Sequence, residues 1–251
     1  MLTADDLQRA LAGAGLDAPV RADEVTGSTN ATASAMAQAG APEWTLVAAA
    51  HQTQGRGRSG RSWVDRRGQA LMCSFVLRPA LPAARAGLLT LLAGASLAEA
   101  ARSLGADVGC KWPNDLMTAE GKAGGILAES VVVGGVLRHV VIGTGVNLGQ
   151  APPEVAGAAA LPQVEAAPLL ERYLRRMAER YAPADEGFAA GVVAAATATS
   201  VTLGTEVEVA RGDGPPVTGR AIDLDLDGGL VVDTGTGSVT VAFGEVVRLR
   251  R

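Results

Sequence analysis

The chain has 251 residues, of which 48% are hydrophobic and 3% aromatic, and it carries a formal net charge of −4. This length allows one or two domains with a full core, and the acidic balance argues against a protein that coats nucleic acid. The sequence shows no signal-peptide pattern and no segment near the ~20 apolar residues of a membrane span. Cys73 and Cys110 form neither a metal-binding spacing nor a disulfide framework. We therefore expect a cytoplasmic protein.

Residues 1–200 mix helical and strand patterns, and we predict a first domain over this range. Leucines at helical spacing over residues 86–104 end at Gly105, which suits a helix C-cap. Two β-branched runs within residues 122–143 flank Gly134-Gly135 and predict a hairpin. The remaining predicted elements are helices at Asp5 to Ala14, Asn30 to Ala39, Leu169 to Tyr181 and Ala184 to Ala196, and strands at Thr45 to Ala50 and Ala70 to Leu77.

Residues 201–251 have a different pattern, with short β-branched runs separated by turn residues such as Gly212-Asp213-Gly214. This spacing predicts a second domain, a small all-β barrel of about five strands. The runs are Val207-Val209, Val217-Ile222, Leu230-Val232, Val239-Val241 and Val246-Leu249. Between the helical segments, Gln150 to Pro168 forms a long loop-like stretch, and such loops in compact domains are often functional.

The strongest chemical signal is a glycine- and arginine-rich segment, residues 51–67, directly after the predicted strand at Thr45 to Ala50. It contains five arginines and one aspartate, a local charge of +4. Its glycines allow the backbone to approach a ligand closely, and its guanidinium groups suit phosphate or carboxylate. It is not a Walker A loop, because no Gly-Lys-Ser/Thr follows. An arginine-glycine segment for single-stranded RNA uses similar residues and is the alternative interpretation.

Lysine usage gives a second signal. Only two of the 22 Lys and Arg residues are lysines, Lys111 in a Lys-Trp-Pro-Asn-Asp stretch and Lys122 before a Gly-Gly pair. Two lysines could remain by chance in a sequence that otherwise uses arginine, but their position beside these motifs favours a functional role. A compact ammonium differs from a planar guanidinium where a small anion is approached end-on. We interpret the two lysines as the cationic pair of an anion-handling site.

Weaker motifs have ordinary structural explanations. Ser28-Thr29-Asn30 opens a predicted helix and would ordinarily cap it, Gln52 at a strand end could satisfy backbone groups, and Gly143 to Asn147 could be a strand-end turn.

Aromatic rings and histidines are also ambiguous from the sequence. His51 and His139 have no evident partners, so neither is assigned a catalytic role. Trp63 and Trp112 would usually be core residues, although both lie inside the basic motifs, where a ring could stack on a ligand.

Taken in order, these motifs closely resemble the biotin protein ligases. The resemblance rests on Ser28-Thr29-Asn30, the loop from Gln52 to Trp63, Lys111 to Asp115, Lys122 to Glu129, and Gly143 to Asn147. The arginine loop is its most specific part. The resemblance to this family implies an α+β fold. The first domain would be a class II synthetase-like biotin/lipoate ligase domain with a mixed sheet and flanking helices, and the second an SH3-like β-barrel. Family members that also act as repressors carry an N-terminal DNA-binding domain, and fewer than 30 residues precede Ser28 here, so a monofunctional ligase is expected.

The resemblance also implies the chemistry. ATP would convert biotin to biotinyl-5′-AMP, and a lysine of a biotin carboxyl carrier domain would then accept the biotinyl group. Arg56, Lys111 and Lys122 would be catalytic, and Mg²⁺ would assist, with Asp115 as a candidate ligand. The residues implied to bind biotin are Ser28, Thr29, Asn30, Gln52, Arg56, Gly57, Arg58, Lys122, Gly124 and Gly125. Those implied to bind ATP or the adenylate are Arg58, Arg61, Trp63, Lys111, Asn114 and Asn147.

Two alternative functions remain at this point, a lipoate or octanoate ligase and a biotin-responsive repressor. The arginine loop and its Trp63 favour biotin. The expected partners are biotin, ATP and a carrier domain, with no specific DNA or membrane, and the expected state is a monomer or weak homodimer. We also expect residues 54–65 and part of 150–163 to become ordered only when biotin or the adenylate binds, because the loop's positive charges repel one another.

Overall fold

The computed structural model describes residues 1–212 and 214–250. Asp213 of one predicted turn and Arg251 of the predicted second domain lie outside the described residues. Within the described range the helices are α1 (Ala4–Gly13), α2 (Thr29–Gln38), α3 (Ala86–Arg102), α4 (Ala166–Arg180) and α5 (Phe188–Thr199). The strands are β1 (Val20–Asp23), β2 (Leu46–Ala49), β3 (Ala70–Leu77), β4 (Gly109–Lys111), β5 (Asp115–Met117), β6 (Lys122–Val133), β7 (Val136–Asn147), β8 (Glu206–Ala210), β9 (Val217–Leu224), β10 (Leu230–Asp233), β11 (Ser238–Val241) and β12 (Glu245–Arg250).

A seven-stranded mixed sheet forms the larger part of the fold. Its order is β1-β2-β3-β7-β6-β5-β4, with β1 and β2 parallel and the other neighbours antiparallel. The predicted hairpin is present, and both Gly134 and Gly135 have positive φ. Gly143 to Asn147 continues β7 and pairs with β3, so the alternative of a strand-end turn was wrong. The sequence pattern missed β1, β4 and β5. Strands β4 and β5 have only three residues each, too few to show a period, and β1 alternates with the charged residues Arg21 and Asp23 and so lacks an apolar run.

Helices cover the two faces of this sheet unequally. The main core lies under α1, α3, α4 and α5, where leucine and alanine side chains of α3 are almost entirely buried. The opposite face carries α2, whose Ala33 and Ala37 pack on Val47, Val76 and Val141 in a small second cluster. Small residues on α2 let this helix lie close to the sheet. The α+β fold expected from the sequence is confirmed, and α2 brings its first residues to the end of β2 and β3.

The second sheet is five-stranded and antiparallel, with the order β11-β10-β9-β8-β12. Its five strands correspond to the five predicted β-branched runs. Trp112 connects the two sheets, because its ring is buried and its indole Nε1–H donates to the Gly228 carbonyl at 3.1 Å. Its backbone N–H donates to Thr202 Oγ1 at 2.9 Å. Trp112 is therefore a core residue, and the suggestion that it could stack on a ligand was wrong.

No helix in residues 1–212 and 214–250 combines the length and the apolar character needed to cross a bilayer.

Candidate active site

A cavity of about 290 Å³ lies where α2, the arginine-rich loop and the strands β6 and β7 meet. Thirteen of the residues predicted for the site line it, and three do not: Lys111, Asp115 and Gly124. The predicted residues in its lining are Ser28, Thr29, Asn30, Gln52, Arg56, Gly57, Arg58, Arg61, Trp63, Asn114, Lys122, Gly125 and Asn147. The fold thus collects five separate sequence motifs around one volume.

One end of the cavity is a polar network of neutral side chains. Gln52 Oε1 accepts from the Thr29 backbone N–H at 2.7 Å and from its hydroxyl at 3.1 Å. The buried Ser74 hydroxyl lies 2.8 Å from Thr29 Oγ1 and donates to Asn30 Oδ1 at 2.7 Å. Ser28 occupies the N-cap position of α2 but its side chain makes no capping bond. The capping explanation was therefore wrong, and the Ser28 hydroxyl and the Gln52 amide line the cavity, where they can contact a compact polar ligand group.

Two glycines of β7 make room for this arrangement. A Cβ at Gly143 would lie 1.9 Å from Asn30 Oδ1, and a Cβ at Gly145 would lie 2.7 Å from the Trp63 ring. Any larger residue would push Asn30 away from the sheet or lift the indole off the cavity. Close approach of the Asn30 and Trp63 side chains thus explains both glycines of the Gly-Thr-Gly motif. Thr144, between the two glycines in the sequence, has its hydroxyl 3.1 Å from the buried Tyr173 hydroxyl.

The arginine-rich loop folds into a tight hairpin beside the cavity. The Trp63 N–H donates to the Gly55 carbonyl at 3.0 Å and the Gly57 N–H donates to the Arg61 carbonyl at 2.7 Å. A Cβ at Gly55 would meet the Trp63 carbonyl at 2.4 Å, so the pairing requires glycine at that position.

Each loop arginine contacts a different part of the protein. Arg56 pairs with Glu129 of β6 at 3.1 Å, and Arg61 pairs with Glu245 of β12 at 2.6 Å. Arg58 donates to Asn114 Oδ1 and to the Gly244 carbonyl, both at 3.3 Å. The loop therefore joins the two sheets across the mouth of the cavity.

Arg58 is the half-buried arginine of the loop, whereas Arg56, Arg61, Arg66 and Arg67 are exposed. Burial lowers the pKa of its guanidinium, while the carboxylates of Glu245 and Asp115 act in the opposite direction and Arg61 adds to the lowering. A guanidinium stays protonated in proteins, so the lowered pKa reflects the cost of partly burying its charge. An anionic group bound in the cavity would offset that cost.

The base of the arginine loop is closed by a pair that the sequence did not reveal. His51 Nδ1 lies 2.9 Å from Asp65 Oδ2, and the Gln52 N–H donates to Asp65 Oδ1 at 3.1 Å. The expectation that His51 lacks a partner was wrong. Its role is to join the two ends of the loop, and the buried Asp65 carboxylate also orients the backbone of Gln52.

The two lysines meet at one carboxylate. Asp115 Oδ1 lies 2.5 Å from Lys122 Nζ, and Asp115 Oδ2 lies 3.3 Å from Lys111 Nζ. Lys111 also donates to the Val246 carbonyl at 3.2 Å. Lys122 lines the cavity, whereas Lys111 and Asp115 stand behind it. The pair of lysines thus forms one charged cluster with a single member exposed to the ligand space.

The Asp115 carboxylate does not fit a preformed magnesium site. Both of its oxygens contact ammonium groups. Across residues 1–212 and 214–250, no three His, Cys, Asp or Glu side chains are grouped as metal ligands. The prediction of Asp115 as a metal ligand consequently finds no support in this arrangement.

The long loop after β7 forms one wall of the cavity. The backbone of Lys122 bonds to it twice, since its N–H donates to the Gly157 carbonyl and its carbonyl accepts from the Ala159 N–H, both at 2.8 Å. Within the loop, Val155 lines the cavity and remains 40% exposed. The loop is therefore hydrogen-bonded to the backbone of Lys122, whose ammonium lines the cavity.

Two polar atoms in the cavity wall have no hydrogen-bond partner among residues 1–212 and 214–250. They are the buried atoms Trp63 Nε1 and Asn147 Oδ1, although Asn147 Nδ2 donates to the Ala159 carbonyl at 3.0 Å. Buried polar groups in native proteins are nearly always satisfied, so an unpaired donor and an unpaired acceptor beside a cavity indicate ligand contacts.

Neither cysteine is suited to nucleophilic catalysis. Burial raises the pKa of the Cys73 thiol to about 12 and that of Cys110 to about 11, so both remain protonated near neutral pH.

Several lining residues were not predicted. Ile126 and Leu127 are ordinary strand residues, and Ser62 and Val64 lie within the arginine loop without a motif of their own. For the cavity wall formed by the loop at 150–168, the unusual length of that loop was the signal in the sequence. The other lining residues outside the prediction are Gly143, Thr144, Gly145, Pro152, Val155, Ala156, Gly157 and Ala158.

Comparison with known proteins gives two matching family models. One, described as the biotin/lipoate A/B protein ligase family, matches residues 23–147. The other, described as the biotin protein ligase C-terminal domain, matches residues 202–249. Together they cover strands β2 to β7, most of the cavity lining and nearly all of the second sheet.

Individual proteins agree with these models. The biotin–[acetyl-CoA-carboxylase] ligase of Mycobacterium tuberculosis is 37% identical over 240 residues, which cover 90% of this chain and 87% of that protein. The bifunctional ligase/repressor of Bacillus subtilis is 39% identical over 130 residues, covering 51% of this chain and 40% of that protein. The structure of the biotin protein ligase from Aquifex aeolicus in complex with biotin and ATP superposes with a TM-score of 0.72 at 26% identity, covering 93% of this chain and 99% of that one. On this evidence the chain belongs to the biotin protein ligase family.

Proposed function

We propose that this protein activates biotin with ATP to form biotinyl-5′-AMP and then transfers biotin to a lysine of a biotin carboxyl carrier domain. The observation that carries the proposal is the composition of one cavity, which has a neutral hydrogen-bonding end and a cationic end. A bicyclic urea attached to a carboxylate has the same division between a neutral and a charged group. The names of the relatives support biotin over lipoate as the acid.

The neutral end is suited to the ureido ring. A ureido group offers two N–H donors and one strongly accepting oxygen, and the hydroxyls of Ser28 and Thr29 with the amide of Gln52 can supply both kinds of partner. Because Gln52 is held by Thr29 and by Asp65 through its backbone, its amide is oriented before the ligand arrives. Such preorganisation lowers the cost of binding.

The cationic end is suited to the carboxylate and the phosphates. Lys122 and Arg58 line the cavity there, and Arg61 and Asn114 stand beside them. Trp63 and Asn147 would satisfy their unpaired atoms with the adenylate, and Trp63 would help to exclude water. The predicted ATP contacts of Lys111 and the backbone role of Gly124 remain predictions, since both residues lie outside the cavity lining.

Activation would proceed by attack of a biotin carboxylate oxygen on the α-phosphorus of ATP, with pyrophosphate as the leaving group. Positive charge that is held in place near this oxygen and the α-phosphate lowers repulsion in the ground state and stabilises the transition state. In the second half-reaction the neutral ε-amine of the carrier lysine would attack the acyl carbon, and AMP would leave while the amine loses a proton. No covalent enzyme intermediate is required, in agreement with the protonated thiols.

Magnesium is expected to enter with ATP, since Mg²⁺ in such enzymes is usually held by substrate phosphates together with few protein ligands. Our proposal further includes a monomer or weak homodimer and no sequence-specific DNA binding. Gel filtration and a DNA-binding assay at physiological salt would test these two points.

The proposal is tested by incubating the protein with ATP, Mg²⁺ and biotin and analysing the products by mass spectrometry. Biotinyl-5′-AMP and pyrophosphate are expected, and addition of a carrier domain should yield a biotinylated lysine. Lipoate and octanoate in parallel reactions provide the matched alternatives. Formation of a lipoyl or octanoyl adenylate with no biotinyl adenylate would overturn the assignment.

A further inference from the structure

Glu129 of β6 lies just outside the cavity lining and bridges helix α2 and the arginine loop. Its Oε2 accepts from Asn30 Nδ2 at 2.6 Å and from Arg56 Nη2 at 3.1 Å, and its Oε1 lies 3.1 Å from Arg56 Nη1. One carboxylate therefore holds the first turn of α2 and, in a two-pronged contact, the arginine loop. Two parallel contacts of this kind fix direction as well as distance.

The Asn30 end of this connection is rigid. Asn30 is buried, its Nδ2 also donates to the Leu127 carbonyl at 3.2 Å, and its Oδ1 accepts from Ser74 at 2.7 Å. Gly143 leaves no spare room beside Oδ1. Since the amide has no alternative position, Glu129 has a fixed point against which to hold Arg56.

The Arg56 end is the more exposed partner. Its side chain is about half exposed, and its guanidinium faces Glu129, so that its charge is balanced before any ligand binds. The residues on either side of it, Gly55 and Gly57, make the two cross-strand backbone bonds of the loop hairpin to Trp63 and Arg61. Holding the Arg56 side chain therefore holds the backbone that crosses the cavity mouth.

We infer that Glu129 is a positioning residue for biotin, which acts by fixing Asn30 and the arginine loop in the geometry that receives the ligand. Arg56 then contributes mainly as the partner of Glu129, and the positive charge that faces the ligand comes from Arg58 and from Lys122, which shares the Asp115 carboxylate with Lys111. This inference rests on the proposed function, because the ligand whose binding it describes is biotin.

The experiment compares Glu129→Gln, Arg56→Gln and the double variant with the wild-type protein in biotinyl-5′-AMP formation. Glutamine keeps the shape of Glu129 but removes the two-pronged ionic contact. We expect each single change to raise the KM for biotin by at least about tenfold, the range for losing a charge-assisted hydrogen bond. The KM for ATP should change by less than about threefold, a difference of the size seen for weak surface pairs. Because both changes remove one pair, the double variant should be no worse than the worse single variant.

Controls separate this inference from the proposed function. Glu24→Gln removes the exposed pair between Glu24 and Arg67 at 3.3 Å and should leave both KM values unchanged. Arg56→Gln leaves the Asn30–Glu129 bond in place, so it remains informative if Glu129→Gln does not fold in a thermal melt. Amide exchange of residues 54–65 with biotin bound should be faster in both single variants than in the wild type.

A wild-type protein without adenylation activity would refute the proposed function itself. An active wild type with unchanged biotin KM in the variants, or with additive losses in the double variant, would overturn the positioning role of Glu129 alone.

Discussion

Replacing Lys122 by arginine is the most direct test of the cationic end of the cavity. The Lys122 ammonium is held by its ion pair, because its Nζ is 2.5 Å from Asp115 Oδ1, and it lies over Gly125, where a Cβ would be 3.4 Å from both Nζ and Cε. A guanidinium is longer and planar, so it cannot donate from the same point without moving away from Asp115 or into the ligand space. Charge is conserved in this substitution, and only the position of the donor changes.

The expected magnitude follows from this geometry. A misplacement of about 1 Å in a reacting site can cost on the order of 100-fold in rate. We expect Lys122→Arg to slow biotinyl-5′-AMP formation by at least about 10-fold, which corresponds to roughly 1.4 kcal/mol of transition-state stabilisation. The assay is pyrophosphate release at varied ATP and biotin concentrations, with a thermal melt to verify folding.

Lys111→Arg is the matched control for this prediction. Lys111 contacts the same carboxylate but stands outside the cavity lining, where it donates to the Val246 carbonyl. Its replacement should act through ATP, as a higher KM for ATP or a lower kcat, while biotin binding is preserved. Wild-type rates in a well-folded Lys122→Arg protein would show that the lysine is incidental and would refute the reasoning.

Three further outcomes are expected. Arg58→Gly should increase the dissociation rate of biotinyl-5′-AMP at least about tenfold, because the half-buried guanidinium is lost. The released adenylate should then biotinylate bystander proteins, and an unchanged release rate would contradict this expectation. Residues 54–65 and part of 150–163 should gain amide-exchange protection when biotin or the adenylate binds, and equal protection in the free protein would exclude ligand-dependent ordering. Phe243 is 71% exposed beside the Gly244 carbonyl that accepts from Arg58, so we expect this ring to contact the carrier domain. Phe243→Ser should then raise the KM for the carrier domain while adenylate formation continues at the wild-type rate, and equal KM values would show that the ring makes no such contact.

The sequence by itself determined the helices, the longer strands and about half of the residues that line the cavity. Helices α1 to α5 have apolar patterns or alanine runs long enough to be recognised, and the Gly-Gly turn of the β6–β7 hairpin has a local dihedral requirement that only glycine meets readily. The arginine loop was also evident from the sequence, because its charge and its glycines are concentrated in 17 consecutive residues, 51–67.

Only the tertiary structure decided which charge meets which partner. The Asn30–Glu129 and Arg56–Glu129 contacts join residues 99 and 73 positions apart, and the Asp115 carboxylate proved to be the partner of two lysines when a metal-ligand role had been predicted for it. Ser74 and Asp65 carried no motif, yet they orient Asn30 and Gln52. Dihedral preferences and hydrophobic periods act over a few neighbouring residues, whereas these pairs depend on the register of β6 on β7 and on where α2 packs, and both of those are set by burial of the whole sheet.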